Sequence, residues 1–162
     1  MEIFLVGMPG SGKSTLGKSM AVALNLKFID LDQEICDKEG KDIAGIFTEE
    51  GENYFRKLEA RLLRKIAENQ KNYVLATGGG TPCFFDSMNF MNSLGTTIYI
   101  KIPISDLSQR ILTDQGKERP LLKSESEKQV LEKLEALFAS RIRYYESAQL
   151  TVDANNINQE IL

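Results

Sequence analysis

The chain has 162 residues, of which 42% are hydrophobic and 27% are charged, as expected for one soluble globular domain with a core of its own. Its net charge is −3 and it has no extended basic block, which argues against a dedicated nucleic-acid-binding protein. The absence of histidine excludes Ser-His triads, histidine acid–base catalysis and His-ligated zinc in this chain.

The first motif is a glycine-rich loop, Gly7-Met8-Pro9-Gly10-Ser11-Gly12-Lys13-Ser14, which fits the phosphate-binding pattern G-x-x-x-x-G-K-[ST]. An apolar run at 3–6 predicts a buried parallel strand before the loop, and helical spacing over 15–24 predicts a helix after it. Loop and helix N–H groups in this arrangement point at phosphates, which glycine allows to approach closely. The pattern therefore predicts that a nucleotide is bound by Gly10, Ser11, Gly12, Lys13, Ser14 and Thr15.

Two carboxylates follow the next predicted strand, 26–30, which ends in Asp30 with Asp32 two residues later. The carboxyl ends of parallel strands form the ligand crevice of an open α/β sheet. Residues two apart in an extended segment share one side, so we expect one carboxylate to face Mg²⁺ and the other a substrate hydroxyl. The alternative is that Asp32 only caps the following helix.

Helical patterns continue over 33–47, where two short helices are broken at Gly40, and over 49–70, where one long helix is predicted. Phe47 would line a pocket or fill the core. Arg56 and Glu59 are three residues apart and close enough to pair, and periodicity alone favours a solvated ion pair.

A third predicted strand, 73–77, ends in Gly78-Gly79-Gly80. Three consecutive glycines are costly in chain entropy, and they make sense where backbone N–H groups must approach a ligand; a flexible turn is the alternative. This strand lacks the terminal aspartate with which many P-loop ATPases hold Mg²⁺, so Asp30 on the neighbouring strand would take that role.

The remaining pattern predicts a helix over 82–94, a strand over 96–102, a helix over 104–112, a helix over 127–148, a strand over 150–153 and a closing helix over 156–162. The polar segment 114–126 carries Lys117 and Arg119, and it is either a lid that closes over phosphates or a plain surface loop. Arg141 and Arg143 lie late in the long helix, where solvent-facing cations are also favourable.

Taken together, these motifs resemble the shikimate kinase family, within the nucleoside-monophosphate-kinase-like branch of P-loop proteins. The resemblance covers nearly the whole chain. Its strongest parts are 7–14, Asp30-x-Asp32, Ile43-x-x-Ile46-Phe47, Gly51-Glu52-x-x-Phe55-Arg56-x-x-Glu59, Gly78-Gly79-Gly80, Arg119-Pro120-Leu121-Leu122, Arg141-x-x-x-Tyr145 and Val152-Asp153.

The resemblance implies one P-loop kinase domain over 1–162, a three-layer α/β/α fold with a five-stranded parallel sheet in the order 2-3-1-4-5. Within it, a helical substrate-binding region would cover 31–62 and a lid 113–126. The implied reaction is transfer of the γ-phosphoryl group of ATP to the 3-hydroxyl of shikimate, with Mg²⁺ as cofactor, in aromatic amino acid (chorismate) biosynthesis. The implied state is a monomer.

The resemblance also implies roles on the ATP side of the site. Lys13 and Arg119 would be catalytic, and Arg119 and Arg110 would join the phosphate loop in binding ATP. Ser14 would ligate Mg²⁺, with Asp30 helping through water.

On the substrate side, the resemblance implies that Asp32 is the candidate base and that Arg56 and Arg141 clamp the carboxylate, which suits the fork geometry of arginine. Shikimate would contact Asp32, Arg56, Gly78, Gly79, Gly80, Arg141, Phe47 and Phe55. Arg143 stands where the family pattern R-x-P-x-Y has proline, and it either adds charge near the clamp or points away.

Other functions share some of these motifs. A gluconate-kinase-like or nucleoside monophosphate kinase shares the phosphate loop, but the paired arginines and the triple glycine favour a small carboxylate-bearing polyol. A non-catalytic ATP-sensing module would need neither Asp32 nor the arginines, and a GTPase is disfavoured because no N-K-x-D segment is present.

The cellular location is predicted from the cysteines and from targeting signals. The N-terminal residues lack a signal-peptide pattern, and no apolar run reaches transmembrane length. Cys36 and Cys83 form neither a disulfide framework nor a metal pattern, so we expect free thiols in a reducing cytoplasm.

Overall fold

A five-stranded parallel sheet forms the centre of the computed structural model, which describes residues 1–113 and 126–160. The strands are β1 (Glu2–Val6), β2 (Lys27–Asp30), β3 (Tyr73–Ala76), β4 (Thr96–Lys101) and β5 (Leu150–Asp153). The helices are α1 (Lys13–Leu24), α2 (Leu31–Glu39), α3 (Ile43–Glu50), α4 (Glu52–Asn69), α5 (Ser87–Leu94), α6 (Ile104–Thr113), α7 (Glu127–Tyr145) and α8 (Ala154–Glu160), with a 3-10 helix at Thr81–Cys83. None of the helices in the described ranges is long and apolar enough to cross a bilayer.

The strand order is β2-β3-β1-β4-β5 and every neighbouring pair is parallel, which confirms the predicted order. Strand β3 is buried along its whole length because parallel strands are covered by helices on both faces. Beyond the end of β3, Thr77 donates to the carbonyl oxygen of Leu5 from its backbone N (3.1 Å) and from Oγ1 (2.9 Å). The loops that follow β1 and β3 therefore leave the sheet side by side, at its carboxyl edge.

The helix predicted over 49–70 is wrong at its start. Helix α3 continues to Glu50, Gly51 interrupts it with φ of 84°, and α4 begins at Glu52. The ψ of Gly51 is 169°, far from the helical value, and the positive φ is one that glycine adopts without the steric penalty of a side chain. The break reorients the chain so that α4 packs against α2 and α3.

The helix predicted over 82–94 is also wrong, because a corner separates the 3-10 helix from α5. Phe84 is extended, and Phe85 and Asp86 are both left-handed with φ of 52° and 56°. Non-glycine residues adopt this region only when surrounding contacts impose it. Here Arg64 on α4 donates from Nη2 to the carbonyl oxygen of Phe85 at 2.7 Å.

Candidate active site

The glycine-rich loop between β1 and α1 is closed around the side chain of Lys13. Lys13 is buried, and its Nζ donates to the carbonyl oxygens of Gly7 and Met8, each at 2.9 Å. The start of α1 adds the partial positive charge of a helix N-terminus at the same place. The loop thus presents an ammonium group and helix N–H groups together, which is the arrangement that binds phosphate.

Arg110, on α6, lies beside this loop. Its Nη1 donates to the carbonyl oxygen of Gly10 at 3.2 Å, so the residue predicted to contact ATP is within reach of the nucleotide site. The predicted lid covers 113–126, and all of it except its two end residues lies outside the described residues, as do Arg119 and Lys117 within it.

The two predicted metal ligands contact each other. Ser14 Oγ donates to Asp30 Oδ2 at 2.6 Å, at the start of α1 and the end of β2. Asp30 also accepts from the backbone N of Gln33 at 3.3 Å, so the helix-capping role considered for Asp32 belongs to Asp30. A hydroxyl and a carboxylate beside a phosphate-binding loop fit the oxygen preference of Mg²⁺.

Asp32 lies in the first turn of α2, and the prediction that it shares an extended segment with Asp30 is wrong. The chain turns into helix directly after Asp30, which carries Asp32 over the end of β3. Burial raises the pKa of Asp32 to about 6, and the nearby carboxylates of Glu59 and Asp30 add to this, while Lys13 and Arg56 lower it. A carboxyl whose pKa lies this close to neutral pH is suited to accept a proton.

The triple glycine at 78–80 contacts a different predicted site residue at each position. A methyl carbon on the first glycine would lie 2.9 Å from Asp32 Oδ1, on the second 3.0 Å from Arg141 Nη1, and on the third 2.6 Å from Arg56 Cζ. All three glycines lie outside the left-handed region. The requirement for glycine is therefore space for these side chains, and a merely flexible turn does not explain it.

Arg56 and Glu59 form a buried ion pair, so the predicted solvated pair is wrong. Their exposed fractions are 7% and 1%, and Arg56 Nη1 lies 3.0 Å from Glu59 Oε1. Thr81 donates from Oγ1 to Glu59 Oε2 at 2.7 Å, and Glu52 Oε1 lies 3.4 Å from Arg56 Nε. Burial raises the pKa of Glu59, while the Arg56 guanidinium and the Thr81 hydroxyl oppose this. The pair fixes the guanidinium because each carboxylate oxygen of Glu59 has a partner.

Three aromatic rings surround the same guanidinium. The predicted pair, Phe47 and Phe55, have ring centroids 4.7 Å apart and lie 6.0 and 5.2 Å from Arg56 Cζ. Phe84 is nearest, at 4.5 Å, and sequence reasoning missed it. The available signal was an aromatic residue four positions after the triple glycine. The helix predicted over 82–94 included Phe84, so the residue was not assigned to the site.

Helix α7 joins the site through Arg141 and Tyr145, one turn apart. Arg141 is half-buried beside the triple glycine. Tyr145 is fully buried, donates from its hydroxyl to the carbonyl oxygen of Gly79 at 2.6 Å, and stacks on Tyr99. Sequence reasoning named Tyr145 only as part of a motif, and the structure shows that it fastens α7 to the glycine loop.

Arg143 does not join this arrangement. It is exposed, its Cζ lies 4.8 Å from the ring centroid of Tyr144, and its Nη2 donates to the Tyr144 hydroxyl at 2.9 Å. The extra charge is therefore held against its neighbour in the sequence, near the surface.

Comparison with known proteins places this site in one family. The family model described as shikimate kinase matches residues 9–162. A shikimate kinase of Parabacteroides distasonis is 39% identical over 98% of this chain and 91% of its own length. A crystal structure of shikimate kinase from Bacteroides thetaiotaomicron is 39% identical with a TM-score of 0.91, covering 96% of this chain and 87% of that one. Shikimate kinase from Acinetobacter baumannii, solved in complex with shikimate, is 36% identical with a TM-score of 0.86, covering 99% of this chain and 89% of that one.

These matches span almost the whole chain and include the phosphate loop from Pro9 onward, the triple glycine and the two arginines beside it. The sequence motifs, the strand order and the similarity over full length agree. The chain therefore belongs to the shikimate kinase family.

Proposed function

We propose that this chain is a shikimate kinase that transfers the γ-phosphoryl group of ATP to the 3-hydroxyl of shikimate. The observation that carries the proposal is the convergence of Asp32, Arg56 and Arg141 on the triple glycine. This loop also touches the phosphate loop, because a methyl carbon on Gly79 would lie 2.6 Å from Pro9 Cδ. The proposed base, the two arginines proposed to bind the carboxylate and the phosphate loop thus all lie beside the triple glycine.

On the ATP side, Lys13 and the loop N–H groups would hold the phosphates, and Arg110 would contact the nucleotide from α6. Ser14 and Asp30 would hold Mg²⁺, directly and through water. When bound, Mg²⁺ neutralises charge on the phosphate oxygens. Arg119 would add positive charge to the transferring group from the proposed lid at 113–126.

On the substrate side, Arg56 and Arg141 would bind the shikimate carboxylate and thereby direct the ring toward Asp32. Asp32 would accept a hydrogen bond from the 3-hydroxyl and take its proton as the new oxygen–phosphorus bond forms and ADP leaves. Phosphoryl transfer depends mainly on positioning and charge stabilisation, which these fixed groups supply. Phe47 and Phe55 would pack beside the ring, within a substrate-binding region covering 31–62.

The carboxylate clamp also disfavours two of the alternative functions. A nucleoside monophosphate would need a second base-binding pocket, and a bare ATP sensor would not need the buried Arg56–Glu59 pair. We further expect a monomer, and we expect a location in the cytoplasm, which the two free thiols, Cys36 and Cys83, support.

The test is a coupled assay of ADP release with Mg²⁺-ATP, in which shikimate is compared with quinate, gluconate and nucleoside monophosphates. Strong stimulation by shikimate alone is expected. ADP release that no acceptor changes would leave nucleotide binding in place and overturn the kinase function. Preferential stimulation by gluconate would select the alternative kinase.

A metal-site prediction follows from Ser14 and Asp30. Asp30→Asn should raise the Mg²⁺ concentration for half-maximal activity about 10- to 100-fold, because an amide is a poorer partner for a metal-bound water. Asparagine caps helices as well as aspartate, so the start of α2 should persist. Titration of activity with Mg²⁺ at saturating ATP measures this, and an unchanged Mg²⁺ dependence would remove Asp30 from the metal site.

A second prediction concerns the hydroxyl of Tyr145. Tyr145→Phe should raise KM for shikimate roughly 3- to 10-fold, because Gly79 loses the hydrogen bond that fixes its carbonyl group. The KM for ATP should change little. Tyr73→Phe is the matched control, since the Tyr73 hydroxyl is buried and makes no hydrogen bond among the described residues. Equal kinetics in the two variants would contradict the role of Tyr145.

A further inference from the structure

The ring of Phe84 lies beside the guanidinium that we assign to the carboxylate clamp. Its ring centroid lies 4.5 Å from Arg56 Cζ, which is cation–π distance and closer than Phe55 at 5.2 Å. Phe84 is half-buried and does not belong to the hydrophobic core formed by the described residues. Core packing therefore does not account for its position.

The edges of the same guanidinium are partly occupied. Nη1 is 3.0 Å from Glu59 Oε1, and Nε is 3.4 Å from Glu52 Oε1. Nη2 makes no hydrogen bond within residues 1–113 or 126–160. Arginine donates its hydrogen bonds from five N–H groups, whereas a cation–π contact requires none of them to form a hydrogen bond. The contact with Phe84 thus leaves Nη2 available to a ligand.

The position of Phe84 depends on the corner that follows it. Phe85 and Asp86 are left-handed, and the carbonyl oxygen of Phe85 accepts from Arg64 Nη2 at 2.7 Å. Arg64 is itself held against Phe90, with its Cζ 4.7 Å from the ring centroid. Since Arg64 lies two turns after Arg56 on α4, one helix carries the clamp arginine and anchors the corner that places a ring on it.

We propose that Phe84 is a positioning residue of the carboxylate clamp. Its ring holds the Arg56 guanidinium in the plane in which Nη2 meets the carboxylate of shikimate. A guanidinium fixed beforehand loses less side-chain freedom when the carboxylate binds. This role rests on the proposed function, and it assigns Phe84 no contact with the reacting atoms.

The test compares two phenylalanines in one corner. Phe84→Leu is expected to raise KM for shikimate about tenfold, with kcat and the KM for ATP nearly unchanged. Phe85→Leu is the matched control, because Phe85 is 49% exposed and should behave like the unmodified chain. Phe84→Tyr keeps the ring and should restore the KM for shikimate.

A substrate without the carboxylate charge separates positioning from loss of structure. With shikimate methyl ester, kcat/KM should be nearly the same in Phe84→Leu and the unmodified chain, because the ester carries no negative charge to pair with the guanidinium. In an Arg56→Lys background, Phe84→Leu should raise the KM for shikimate by a smaller factor than it does in the unmodified chain.

Three results would overturn the inference. The first is an unchanged KM for shikimate in Phe84→Leu. The second is an equal loss of kcat/KM in Phe84→Leu with shikimate and with its ester. The third is a folded Phe84→Tyr variant whose KM for shikimate stays as high as that of Phe84→Leu. If the unmodified chain did not phosphorylate shikimate at all, the proposed function itself would fall, and this inference with it. An active unmodified chain with an unaffected Phe84→Leu variant would overturn the positioning role alone.

Discussion

The Asp32→Asn variant is expected to lose kcat for shikimate by a factor of about 10² to 10⁴, with its fold retained. The amide has the shape of the carboxyl group but does not accept the proton of the 3-hydroxyl. Asp37→Asn is the matched control, because Asp37 is exposed on the same helix and contacts Gln33. Steady-state kinetics with both substrates measure the effect, and activity in Asp32→Asn equal to that in Asp37→Asn would exclude Asp32 as the base.

The same carboxyl should control the pH dependence of activity. Its pKa of about 6 in the folded chain predicts that kcat/KM falls as pH drops below about 6, because protonated Asp32 accepts no proton. Residual activity in Asp32→Asn should lack this acidic limb. A limb that persists unchanged in the variant would belong to another group.

The contribution of Asp32 to stability should depend on pH in the opposite direction to activity, since it falls as pH rises. The pKa of Asp32 is raised from 3.8 to about 6 on folding, so the folded state binds this proton more tightly than the unfolded state does. The contribution of Asp32 to the free energy of unfolding is therefore fully present below pH 3.8 and is lost as pH rises to about 6. Asp32→Asn should accordingly unfold at a higher temperature than the unmodified chain at pH 8, a gain that shrinks toward pH 4.

Arg56→Ala is the second variant with a large expected effect. The kcat/KM for shikimate should fall at least 100-fold, because half of the carboxylate clamp is removed. The variant should also unfold more easily, by about 3–5 kcal/mol, since Glu59 is left as a buried carboxylate without its cation. Denaturant unfolding and two-substrate kinetics report these effects separately.

Two further variants distinguish the causes. Arg61→Ala is the matched control, because Arg61 lies on the exposed side of α4. Adding Glu59→Gln to Arg56→Ala should recover much of the lost stability without recovering shikimate binding, since the buried charge is gone but the clamp is not restored. If activity returned along with stability, Arg56 would be a structural residue and its place in the clamp would be lost.

The strands and the phosphate loop could be predicted from the sequence because their signals are local. The loop has a fixed glycine and lysine spacing, and the buried strands are short apolar runs between turn residues. The order of the strands came from the resemblance to a family, and the structure confirms it.

The parts that could not be predicted depend on contacts between distant residues. The corner at 84–86 contains no glycine that would predict a turn, and it needs a hydrogen bond from Arg64, which is 21 positions away from Phe85. The burial of Arg56 and Glu59 depends on the glycine loop and Thr81 closing over α4. Helical spacing alone predicts neither the corner nor this burial, because a periodic pattern describes one helix and not the residues that pack over it.

The glycine loop has a consequence for how this site tolerates mutation. The three glycines follow one another directly, and each allows the close approach of a different functional side chain. An alanine methyl group would crowd Asp32 at the first position, Pro9 and Arg141 at the second, and Arg56 at the third. The crowded atoms all belong to side chains, so a substitution that left the fold intact would still displace one functional group relative to the other two.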